Sequence, residues 1–113
     1  MSTRSLPKSQ WETYFDSISK HLKVNRAELE VAAMNLGDQF EAEWVPLYGI
    51  SYDPKDDVIE FVFEGMDHLV HRPREVYVED GIQGLHSIEV IDSDGVRHIA
   101  RLKEALKLTP PQV

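Results

Sequence analysis

The sequence predicts an α+β fold: an N-terminal helix packed on a mostly antiparallel, strongly twisted sheet of five to six strands, arranged as a meander or a partly open barrel. Three observations predict it. One apolar stripe at helical spacing lies near the N-terminus, runs of alternating apolar and polar residues fill the remainder, and short polar turns join those runs. The short connections place successive strands side by side, and strong twist tends to curl such a sheet.

The helix is expected over about residues 8–22. Trp11, Phe15, Ile18 and Leu22 recur at spacings of four, three and four, which puts them on one face. Ser9 and Glu12 have the spacing of a capping box, in which each side chain accepts from the other's backbone amide. Strands follow. Over 27–33, Ala27, Leu29, Val31 and Ala33 alternate with Glu28, Glu30 and Ala32, and residues 35–38 supply a turn. Phe40, Ala42 and Trp44 alternate with Glu41 and Glu43, which predicts an inward face of Phe40, Ala42 and Trp44. Pro46 removes a ladder donor and Gly49 permits a bend, so residues 40–52 read as one bent strand or two short ones.

Asp53-Pro54-Lys55-Asp56 has the chemistry of a type I turn. Beyond it Ile59, Phe61 and Phe63 point one way and Glu60 and Glu64 the other. Residues 65–74 break the alternation and read as a loop, and residues 75–79 resume it. Residues 80–84 form a glycine-rich hairpin loop, and Asp92-Ser93-Asp94-Gly95 joins the runs 85–91 and 96–102. The facing of these last two runs stays open, because His86, Ile88 and Val90 compete with Leu85 and Ile91 for the core side. Residues 1–7 and 108–113 are expected as loose tails of a single domain, 1–113.

Composition narrows the function. The chain has no cysteine, which excludes disulfides, thiolate nucleophiles and zinc ribbons and favours a reducing, cytoplasmic setting. No apolar run approaches the ~20 residues of a membrane span, and residues 1–7 lack the apolar stretch of a secretory signal. The formal net charge of −8 is concentrated: residues 38–67 hold nine carboxylates against Lys55 alone. Without a basic cluster, neither nucleic acid nor a membrane surface is an expected partner. A solvated, solubilising face is the simplest use of the acidic middle.

Few residues suggest chemistry. In Asp67-His68-Leu69-Val70-His71 two imidazoles lie three apart, sharing a face on a helix and opposing faces on a strand. With Arg72 and Arg74 they make His68, His71, Arg72 and Arg74 the candidate ligand-binding set. Asp67 and His86 would have to join the histidines to reach the three or four ligands a metal needs, so no metal and no cofactor is expected. Asp67 and His68 are the candidate acid–base pair for an enzyme reading. Asp92-Ser93-Asp94-Gly95 begins like a calcium loop but lacks its twelve-residue pattern and reads as a turn. Tyr48, Ile50 and Tyr52 share one face of a strand and are the candidate interface, exposed wherever the helix leaves them uncovered.

Four segments together resemble a family of short bacterial proteins of unknown function: 11–16 (Trp-Glu-Thr-Tyr-Phe-Asp); 41–57, containing Trp44-Val45-Pro46-Leu47-Tyr48-Gly49; 65–69; and 73–78 (Pro-Arg-Glu-Val-Tyr-Val). The resemblance spans about residues 8–106. It implies a bacterial origin and brings no functional residues with it. The function expected from the residues themselves is that of a small non-enzymatic interaction module, self-associating as a homodimer or binding a protein partner.

Overall fold

A computed structural model describes residues 2–22, 25–35 and 37–107. The fold is α+β and mostly sheet. The helix α1 (Trp11–Leu22) is preceded by a 3-10 turn over Lys8–Gln10. The strands are β1 (Ser2–Ser5), β2 (Arg26–Ala33), β3 (Gly37–Asp53), β4 (Val58–Phe63), β5 (Met66–His71), β6 (Pro73–Gly81), β7 (Gly84–Asp92) and β8 (Arg97–Leu106). They form one open antiparallel sheet in the order β1-β6-β7-β8-β2-β3-β4-β5. Two meanders, β6–β8 and β2–β5, are thus joined where β8 pairs with β2.

The strand number is eight, above the five to six expected from the sequence, for two reasons. Residues 2–5 are not a loose tail: they pair with β6, from Ser2 opposite Asp80 to Ser5 opposite Tyr77, and Leu6 behind them is buried. Residues 66–71 are not a loop but the strand β5, paired with β4 in unbroken register. The expected tail 108–113 and Leu36 of the expected turn 35–38 lie outside the described residues.

The apolar stripe of α1 is buried as its spacing predicts, with Trp11, Phe15, Ile18 and Leu22 all in the core. No side chain caps the leading turn at Pro7. The helix packs on β3. Past Pro46, β3 leaves β2 and pairs with β4, which strips its β2-side edge of a strand partner. Ser19 of α1 fills that gap: its Oγ donates to the Ile50 carbonyl at 2.8 Å and accepts from the Ile50 amide at 2.9 Å. One hydroxyl thereby satisfies both backbone groups that a missing strand would have paired.

β3 corrects the expected facing of its aromatics. Leu29 pairs with Ala42 but the neighbouring Glu30 pairs with Phe40, which leaves Glu41 extra; Glu28 alone faces both Glu43 and Trp44. Each bulge inverts the alternation once. Ala42 therefore points inward as expected, whereas Phe40 and Trp44 are exposed, and Trp44 has a left-handed φ of 56°. A third irregularity, between Leu47 and Gly49, turns Tyr48 outward and leaves Ile50 and Tyr52 in the core. Tyr52 packs edge-on against Trp11 with ring centroids 5.1 Å apart. Against β6, a bulge at His86 likewise resolves β7, letting Leu85, Ile88 and Val90 all face inward.

The turns follow their sequence chemistry. Asp53 Oδ1 accepts the Lys55 amide at 2.9 Å, and Asp92 Oδ1 accepts the amides of Asp94 at 2.9 Å and Val96 at 3.1 Å.

Candidate functional site

The inner face of β5 carries Met66, His68 and Val70, and the outer face carries Asp67, Leu69 and His71. His68 and His71 therefore project to opposite sides, as do the neighbours Asp67 and His68. Arg72 leaves β5 in a left-handed conformation (φ 50°) and donates from Nε to Ser93 Oγ at 3.2 Å. Arg74 is exposed and pairs with Glu75 at 3.7 Å. The four side chains of the candidate ligand set diverge instead of meeting. Of the candidate interface, Tyr48 is exposed and hydrogen-bonds to Glu64, while Ile50 and Tyr52 lie in the core. The Tyr52 hydroxyl donates to Asp57 at 2.8 Å; burial first, then this bond, pushes its pKa up to about 12.

His68 instead joins a chain that its own neighbourhood in sequence does not reveal. Its Nε2 lies 2.9 Å from His98 Nδ1 on β8, and His98 Nε2 lies 3.0 Å from Asp92 Oδ2 at the end of β7. The carboxylate can only accept, so with both rings neutral His98 holds its proton on Nε2 and receives at Nδ1 a bond from His68 Nε2. Burial of the His68 ring, with the neighbouring His98 second, pushes its pKa down to about 4. Burial is also the strongest single influence on Asp92 and would raise it. The bonds from His98 and from the Val96 and Asp94 amides together outweigh it and hold the carboxyl below its usual range. The chain ties three strands together across the core. A signal for it exists in the sequence: His98 shares its alternation with Ala100 and Leu102, so it stands at a core position of β8.

The outer face of β3, β4 and β5 has a different character. Cross-strand partners form rows, Ser51–Glu60–Leu69 and Asp53–Val58–His71. They shape a shallow open trough of about 420 Å³ lined by Asp53, Asp56, Glu60, Leu69 and His71, among others. Burial first, and the Asp67 carboxylate second, push Glu60 up. Among the described residues no lysine or arginine pairs with Asp53, Asp56, Glu60 or Asp67, and Leu69 is 47% exposed at the edge of the trough. Four of the nine carboxylates of residues 38–67, Asp53, Asp56, Glu60 and Asp67, thus stand on this outer face.

On the outer face of β2, β7 and β8 the charges are paired instead. Arg97 pairs with Glu89, and Arg101 pairs with Glu28 at 3.1 Å and Glu30 at 2.8 Å. No group of three or more histidines and carboxylates suited to a metal ion occurs among the described residues, and no helix there is long and apolar enough to cross a membrane.

Comparison with known proteins gives the chain relatives without giving it an activity. It is 50% identical to an uncharacterized protein of Aquifex aeolicus (strain VF5) over 109 residues, covering 96% of this chain and 98% of the relative. No solved structure matches it. The model of a family described as "Family of unknown function (DUF5335)" matches residues 2–111, nearly the full length, and the chain belongs to that family.

Proposed function

We propose that the protein is a non-enzymatic, cytoplasmic interaction module that docks a positively charged protein partner on the acidic outer face of β3–β5. One observation carries the reading: the carboxylates of Asp53, Asp56, Glu60 and Asp67 stand on one open face without a lysine or arginine partner among the described residues, beside exposed Leu69. The carboxylates Glu28, Glu30 and Glu89, by contrast, pair with Arg101 and Arg97 of β8. Complementary charge steers encounter and sets specificity more than it sets affinity. A homodimer through the same face would set like charges against each other, so the partner is a different, basic protein. A ligand site at His68, His71, Arg72 and Arg74 has less support because the side chains diverge.

The test is calorimetric titration with a lysine-rich peptide at low and high salt. Wild type should bind with an affinity that falls steeply with salt. The variant Asp53→Asn/Asp56→Asn/Glu60→Gln/Asp67→Asn should lose most of that binding while keeping its far-UV spectrum. Equal binding by the neutralised variant defeats the proposal.

A further inference from the structure

We infer that β5 is a receptor strand, whose free edge takes up an extended, basic segment of the partner as an added β-strand. This rests on the reading above and specifies how the partner is held. Among the described residues the free edges of the sheet differ in how they are built; the second half of β3, without a strand on its β2 side, is met by α1 through Ser19. β1 is only four residues long. The first half of β3 pairs with β2 alone, but two bulges break its line and Asp38, Glu41 and Glu43 punctuate it. Short length, bulges and charge are the devices that keep edges from pairing with other chains. β5 has none of the first two: six residues pair with β4 from Val58 opposite His71 to Phe63 opposite Met66 without a shift in register. It contains no proline, and it packs on β4, with a lighter contact to β7 and the inward His68 bonded to His98 of β8. The edge offers about 20 Å of regular backbone, at roughly 3.4 Å per residue, matching an ordinary strand.

The side chains beside that edge define the occupant. On the outer face an added strand meets Asp67, Leu69 and His71, with Glu60 one strand further in. Alternate residues of the incoming segment therefore carry Lys or Arg, with their aliphatic stems along Leu69. On the inner face it meets half-buried Met66 and His68, which suits small or apolar residues at the intervening positions. The recognition signature is an alternating basic–apolar strand, held by main-chain bonds and selected by charge. A second copy of β5 would set two uncompensated acidic faces side by side, which a basic segment avoids.

The experiment uses the whole chain and two synthetic probes: an eight-residue peptide alternating Lys and Val, and the same peptide N-methylated at every residue, which keeps its side chains and charge but cannot donate a backbone hydrogen bond. Titration of each is paired with amide hydrogen exchange. The parent peptide is expected to slow exchange at alternate amides within residues 66–71, and N-methylation to weaken binding at least ten-fold. Equal binding of both probes without added protection in 66–71 overturns strand addition and leaves the acidic-face reading standing. Binding of neither probe at low salt overturns both.

Discussion

Lowering the pH from 7 to 4.5 should weaken the fold through His68, and the structure fixes the sign and size of the effect. The ring's pKa falls from 6.5 to about 4 on folding, chiefly by burial. The unfolded chain takes up a proton below 6.5 while the folded chain resists it until about 4. The stabilisation is therefore fully present above pH 6.5 and is lost as pH falls toward 4. The gap between the two values corresponds to about 3 kcal/mol. The ring is only half-buried, and solvent screening brings this nearer ~2 kcal/mol. Urea denaturation at pH 7, 6, 5 and 4.5 measures it, with His68→Gln as the comparison. Glutamine can still donate to His98 Nδ1 but does not titrate. Wild type should lose about 2 kcal/mol more than His68→Gln across that range. Groups outside the His68–His98–Asp92 chain are common to both proteins, so the difference reports on that chain. Parallel stability curves would refute the reasoning, since they would mean that the ring is as easily protonated in the fold as outside it.

Two further substitutions test how the sheet is held together. Ser19→Ala leaves the Ile50 amide and carbonyl without their partner and should cost about 1–3 kcal/mol in chemical denaturation, with no change in the unfolding slope. Gly84→Ala meets two obstacles, a φ of 117° and the Leu106 carbonyl in the space a Cβ would take. It should cost at least ~2 kcal/mol, read as a fall in thermal midpoint.

Local chemistry made much of this fold legible. The stripe of α1 and the turns at Asp53 and Asp92 stand where spacing and turn residues put them, because each depends on atoms a few residues apart. What escaped is non-local or out of phase. Residues 2–5 form a strand only because β6 lies beside them, more than seventy residues away. β5 hides because Met66, His68 and Val70 include a histidine on the inner face, which breaks the apolar alternation a strand is recognised by. In β3, extra residues at Glu41, within Glu43–Trp44 and at Tyr48 invert the facing, and period-2 reading cannot see an inserted residue. The His68–His98 contact spans thirty positions, yet His98 at a core phase of β8 was a legible sign that a buried polar partner was needed. The concentration of carboxylates in residues 38–67 was plain in the sequence. The meeting of four of them on one open face depended on the bend of β3 and on β5 being a strand.

Docking on the β3–β5 face is tested most plainly by an amide chemical-shift map of the protein titrated with the alternating Lys–Val peptide. The largest shifts are expected to cluster in residues 51–60 and 66–71. Shifts centred instead on the Arg97 and Arg101 face of β8, or spread evenly over the sheet, would contradict that docking.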